Sequence, residues 1–209
     1  QWPEKLNDLE TIAPYCLWIK GDLLNLNHIS LAVAIVGARA TNQEFELTTT
    51  RFGAQLASDK ALIISGAAYG IDAAAHRGAL SVGGKTIAVL ACGIDVVYPS
   101  GHAGLLNRIT DSGALLSESP PGSRPIKKQF LTRNRIIAAL SNQVVVMQAA
   151  QRSGSLSTAN WAAALGRPVW GLCNENQKQT SPGVSQAIQE GWMLPLTDSH
   201  QLISDLARD

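Results

Sequence analysis

Six short apolar runs recur along the chain: Ala32–Val36, Ala61–Ile64, Thr86–Leu90, Ala114–Leu116, Val144–Met147 and Pro168–Leu172. None alternates with polar residues, so each reads as a strand buried on both faces. The intervening stretches predict helices over Asn42–Ser58, Gly70–Leu80, His102–Thr110, Phe130–Leu140 and Ser155–Leu165, then short ones over Val184–Gln189 and Ser199–Leu206. Strands alternating with helices predict an α/β fold with a doubly wound, mostly parallel sheet of Rossmann-like type over residues 31–209. Residues 1–30 carry Trp2, Pro3, Pro14 and Trp18 and a short strand, Cys16–Ile19, closed by Gly21 and Asp22. They are expected to pack on the core as an N-terminal extension. The irregular stretch Ser117–Lys128, rich in Pro, Ser and Gly, is expected to be a mobile functional loop.

Composition narrows the class. At 209 residues, 45% hydrophobic and 16% charged, the chain suits one globular domain. No apolar run approaches the roughly 20 residues of a membrane helix, and the start lacks the apolar region of a signal peptide. The missing initiator Met suggests a processed or trimmed chain, which leaves open whether flanking domains belong to it. Cys16, Cys92 and Cys173 are odd in number and far apart, which argues against a disulfide framework or zinc cluster and for a reducing cytoplasm.

Charge is unevenly placed. The net charge is +1, yet the 56 residues from Ser119 to Asn174 hold no acid and seven bases: Arg124, Lys127, Lys128, Arg133, Arg135, Arg152 and Arg167. At the centre, Phe130-Leu131-Thr132-Arg133-Asn134-Arg135 puts an aromatic ring beside two guanidinium groups. A segment that excludes acids and offers a ring suits a polyanion with stackable bases.

Ligands of open parallel sheets bind beyond the carboxyl ends of the strands, so the residues just after each strand belong together. These are Gly37-Ala38-Arg39, Ser65 to Asp72, Ala91-Cys92-Gly93, and Gln148 to Ser155. Glycines there allow close backbone approach, and a helix starting at Arg152-Ser153-Gly154-Ser155 offers free N–H groups to a phosphate. Ser153 or Ser155 either caps that helix or binds a phosphate oxygen. One glycine after the first strand, where a dinucleotide fingerprint has three, weakens a nicotinamide or flavin reading; no Walker loop occurs. Asp72 and His76, four apart on a helix, suit a local hydrogen bond better than catalysis. Neither a nucleophile elbow nor a paired-carboxylate site is evident, so no catalytic residues, metal or cofactor are expected.

Together, Gly37-Ala38-Arg39, the run from Ser65-Gly66 through Gly70-Ile71-Asp72 to His76-Arg77-Gly78, Gly93 to Pro99, Phe130 to Ile137 and Arg152 to Leu156 closely resemble the DprA/Smf family, in that family's order, over Leu31–Thr197. The resemblance implies an extended Rossmann fold that binds single-stranded DNA without cutting it, dimerises, and loads the RecA recombinase during DNA uptake, natural transformation and recombination. It implicates Arg39, Gly66, Gly70, Lys127, Phe130, Arg133, Asn134, Arg135, Ser153, Gly154 and Ser155 in DNA binding. Lys127, Arg39 and Arg133 would meet phosphates, and Phe130 a base. Asn134 and Arg135 either orient the pocket or fix the helix start.

Three departures accompany the resemblance. Ala38 stands where the family has serine, Leu131 where proline is common, and the usual Pro-Gly near Cys173 is missing, which affects the loop Asn174–Gly183. The family's helical N-terminal and winged-helix C-terminal domains are not seen in these residues. The alternatives are a nucleoside-monophosphate phosphoribohydrolase of the lysine-decarboxylase-like group, whose Pro-Gly-Gly loop glutamate has no match, and a nucleotide-sensing module.

Overall fold

The structure is a computed structural model and describes residues 2–22, 26–173 and 181–204. A 3-10 segment, Glu4–Ile12, opens the chain. It is followed by β1 (Trp18–Gly21), β2 (Ala32–Gly37), α1 (Gln43–Ser58), β3 (Leu62–Ser65), α2 (Ile71–Ser81), β4 (Thr86–Leu90), α3 (Ala103–Ser112) and β5 (Ala114–Ser117). Then come α4 (Lys127–Leu140), β6 (Gln143–Gln148), α5 (Gly154–Ala164), β7 (Val169–Leu172), α6 (Pro182–Gln189), β8 (Leu194–Leu196) and α7 (His200–Ser204).

These strands form one 8-stranded sheet in the order β1-β5-β4-β3-β2-β6-β7-β8. Every pairing is parallel except β1 with β5. From β2 the chain builds outward through β3, β4 and β5, then returns to lay β6 against the other side of β2. After β2 the chain turns to α1 on one face of the sheet and after β6 to α5 on the other, so their carboxyl ends diverge at the switch point where such sheets bind ligands.

The apolar runs explain both layers. Ala32, Ala34 and Val36 point to one face, with Ile64, Val89, Leu116 and Val146, and meet α4, α5, α6 and the Leu6–Leu9 turn. Val33, Ile35, Ile63 and Val145 point to the other, under α1 and α2, and Ala88, Leu90 and Leu115 meet α3. No helix among the described residues is long and apolar enough to cross a membrane.

Three boundaries differ from expectation for physical reasons. β1 lies two residues later than Cys16–Ile19 because its register is set by pairing Trp18 with Ser117 and Gly21 with Ala114. β8 is not marked by the apolar pattern: three residues with Pro195 in the middle carry no alternation, and proline is tolerated there because the strand is an edge. α4 begins at Lys127, not Phe130. The Gln129 side chain turns back to accept the Ile126 N–H at 3.1 Å, so the first turn is capped without Ser or Asp. The preceding stretch, expected to be mobile, is tied to the loop after β4: Gly93 N–H donates to the Ser123 carbonyl and Gly122 N–H to Asp95, both at 2.8 Å. The loop Asn174–Gly183 and the end of the expected Ser199–Leu206 helix lie, at 174–180 and beyond 204, outside the described residues.

Helices α1 and α2 approach closely because small residues face each other. A Cβ at Gly78 would overlap the Thr50 carbonyl oxygen, and one at Gly53 would come 2.8 Å from that of Ala75. Backbone cannot yield as a flexible side chain can. Gly78→Val should cost about 1–3 kcal/mol in urea unfolding, as overpacking does; an unchanged midpoint would show that the two helices slide apart freely.

Candidate functional site

At the switch point a cavity of about 620 Å³ opens between the loop after β2, the first two turns of α4 and the start of α5. Arg133, 7% exposed on the second turn of α4, reaches across under its floor. Its Nη1 donates to the Gly66 carbonyl at 3.0 Å and to the Val89 carbonyl, and its Nε to Asn134 Oδ1 at 3.3 Å. One guanidinium thus joins the ends of β3 and β4 to α4. The contact sets a residue choice upstream, because any Cβ on Gly66 would overlap the guanidinium.

Two opposed charges share this buried floor. Burial lowers the Arg133 pKa to about 10, with Asp72 acting the other way. Burial likewise raises the Asp72 carboxyl above its ordinary value, and Arg133 and the Ala68 N–H offset part of the rise. Among the described residues, however, Asp72 forms no ion pair within 4.0 Å; those present are Arg135–Glu118 and Arg167–Asp8.

The walls divide by chemistry. On one side the Arg39 guanidinium carbon lies 4.7 Å from the Phe130 ring centroid, a cation–π contact. Tyr98 tilts against the same ring at 5.5 Å. On the other side α5 presents its first turn. Ser153 caps it, its Oγ accepting the Ser155 N–H at 3.2 Å, and Asn134 Nδ2 donates to the Gly154 carbonyl at 3.1 Å. Space beside Gly154 is open. With its positive helix end and the exposed Lys127 and Arg152 at the rim, the cavity can hold an anion on one wall and a flat ring on the other.

Of the residues read from the sequence, the cavity gathers Arg39, Lys127, Phe130, Arg133, Asn134, Ser153, Gly154 and Ser155. Three are not in its lining. Gly66 lies beneath, accepting from Arg133. Gly70, at φ +73°, backs onto the Ala38 and Arg39 carbonyls and shapes the loop that carries Arg39. Arg135 points away from the cavity. It pairs with Glu118 at 2.6 Å and donates to the Ile12 carbonyl at 2.8 Å, which pins the N-terminal segment. The lining also holds Arg152, Tyr98 and Asp72, which were not among the expected DNA-binding residues although Arg152 and Asp72 lie in the expected strand-end segments. Arg152 was visible as a base just before the Ser-Gly-Ser turn, whereas nothing local marked Tyr98.

Asp72 and His76 do not pair. His76 is fully buried and its Nδ1–H donates to Thr86 Oγ1 at 2.7 Å, while that hydroxyl donates to the Ile63 carbonyl at 2.8 Å.

The model of the family described as DNA recombination-mediator protein A matches residues 1–207. The chain belongs to that family. Relatives of this mediator family include the putative DNA processing protein DprA of Mycobacterium tuberculosis, 43% identical over 86% of this chain and 46% of its own length. The DNA processing protein DprA of Streptococcus pneumoniae is 41% identical over 86% of this chain and 62% of its own. The chain spans about half the length of the curated relatives it matches. A structure described as showing the single-stranded DNA binding mode of DNA processing protein A from Helicobacter pylori superposes with a TM-score of 0.89 at 31% identity, covering 100% of this chain and 94% of that one. A Chlamydomonas reinhardtii molybdenum cofactor carrier, at 18% identity and TM-score 0.60, shares the fold.

Arg133 and His76 each carry a stability prediction. Arg133→Met removes the tie between the strand ends and leaves the Asp72 carboxylate without its nearby charge. With the Gly66 and Val89 carbonyls left without their donor, it should destabilise by about 1–3 kcal/mol in denaturant titration; an unchanged unfolding midpoint would show that the clamp is dispensable. His76, whose pKa burial lowers from 6.5 to about 3, binds a proton more readily unfolded than folded. Its contribution is therefore full above pH 6.5 and is lost as pH falls toward 3. His76→Gln should flatten the stability profile across that window, and an unchanged profile would contradict the assignment.

Proposed function

We propose that this chain binds single-stranded DNA in the switch-point cavity and performs no chemistry on it. The observation carrying the reading is the pairing of Arg39 with Phe130 opposite the α5 N-terminus, in one cavity. A phosphodiester is met by Lys127, Arg152 and the free N–H groups of α5, and a base by the Phe130 ring. Stacking tolerates any base, which suits a single strand and not base-edge readout of a duplex. The binding mode described for the Helicobacter pylori relative supports the same reading.

Within this reading the chain acts as a recombination mediator: it works as a homodimer in the cytoplasm and hands strands to RecA. The family description names a mediator of DNA recombination, which supports the role in its coarser form. The alternative of a nucleotide-cleaving enzyme has one foothold, Asp72, a carboxylate in the cavity lining. Its oxygen accepts the Ala68 N–H at 3.4 Å, and burial raises its carboxyl above the ordinary value, the direction that general-base work would use. Release of free base from nucleoside monophosphates, lost on changing Asp72, would replace the binding reading with the enzymatic one.

Fluorescence titration with labelled oligo-dT and with duplex of equal length, at low and high salt, tests the proposal. Binding should favour the single strand and weaken steeply with salt. Phe130→Ala should cost about 1–3 kcal/mol. Equal affinity of wild type, Phe130→Ala and Arg39→Ala for oligo-dT would place the site elsewhere.

A further inference from the structure

The cavity has a lip that the proposed function leaves unused. Beyond Phe130, along the loops after β3 and β4, two further rings stand out of the surface: Tyr98, 38% exposed, and Tyr69, 48% exposed. Neither hangs loose. Tyr98 leans on Phe130, and Tyr69 meets His102 edge-on with centroids 4.5 Å apart. His102 is itself buried, its ring nitrogen held 3.0 Å from the Ala67 carbonyl. Between them the chain runs through a single 3-10 turn, Ser100–His102, where a Cβ at Gly101 would meet the Tyr69 hydroxyl oxygen at 2.8 Å. The absence of that side chain leaves Tyr69 room beside the turn.

Large rings held rigid and half in water gain little for the fold. They lose side-chain freedom and still expose apolar area, whereas stacking on a flat partner recovers it. The position of the rings selects the partner. Tyr98 belongs both to the cavity wall and to the lip, and Gly70, next to Tyr69, backs onto the Arg39 carbonyl. The rings therefore continue the site rather than form a separate patch. A polymer seated in the cavity must leave it, and the lip offers faces for bases while its phosphates stay in water. The one acid on the adjoining loop, Asp95, is occupied by the Gly122 N–H at 2.8 Å.

We propose that Tyr98 and Tyr69 form an aromatic track on which a single strand leaving the cavity stacks its next bases. The inference rests on the cavity being the single-strand site, and it adds a subsite for flanking nucleotides on the β3–β4 side.

Oligo-dT of about three nucleotides, which the cavity alone can hold, and of about fifteen, which reaches beyond it, separates the two claims. For the whole chain, Tyr98→Ala with Tyr69→Ala should weaken the long oligomer by roughly tenfold or more, as loss of stacking on one or two bases does. Tyr69→Ala should leave the short oligomer unchanged, since Tyr69 is outside the cavity. Tyr98→Phe and Tyr69→Phe together should restore wild-type affinity, and circular dichroism should confirm that all variants fold. On a long oligomer made abasic outside its central nucleotides, wild type and Tyr69→Ala should bind alike. Unchanged affinity of the double alanine variant for long oligo-dT, with Phe130→Ala still weakened, would overturn the track and leave the cavity reading intact. Failure of wild type to bind either length would remove both.

Discussion

The structure depends on one desolvated guanidinium. Arg133 spends its donors on two strand-end carbonyls and on Asn134, whose amide in turn holds the first turn of α5. Losing water is costly to an arginine, which is why its pKa falls to about 10, and each carbonyl it meets recovers part of that cost. The result is a charged pin through the switch point. It ties α4, which carries Phe130 on one wall, through Asn134 to Ser153-Gly154-Ser155 on the other. Gly66 is glycine because the pin passes there. A site assembled from four separate loops needs such a tie, since loops position side chains less firmly than a shared rigid element does.

This division of labour splits the acid-free basic window. Arg133 and Arg135, two apart on one helix, look equivalent in sequence yet do different work: one underlies the cavity, the other joins Glu118 and the Ile12 carbonyl to anchor the N-terminal segment. Arg167 reaches Asp8 in that segment. The bases free to meet a ligand at the cavity rim are Arg39, Lys127 and Arg152, so the formal charge of the window overstates the charge available to a polyanion.

The fold was legible where burial is two-sided. Runs such as Val144-Val145-Val146 admit few other readings, and β2 to β7 fall where the apolar pattern puts them. β8 was not legible, because Leu194-Pro195-Leu196 has neither the length nor the alternation of a strand. The early start of α4 was hidden because its cap is made by Gln129 rather than by a short polar residue. In the site, glycine turns and the Phe130 segment were readable from their place after strands. Tyr98 was not, since its part depends on a contact across more than thirty residues with Phe130, and the separate duties of Gly66 and Arg135 follow from where one guanidinium lands.

In the proposed complex, bases of a single strand stack against Phe130 inside the switch-point cavity. Photo-crosslinking of an oligonucleotide carrying 5-iodouracil, followed by mapping of the modified peptide, tests it most directly. Attachment is expected at the peptide containing Phe130 or at that containing Tyr98. Attachment confined to the opposite edge of the sheet, around Lys60 and Lys85 at the amino ends of β3 and β4, would contradict it.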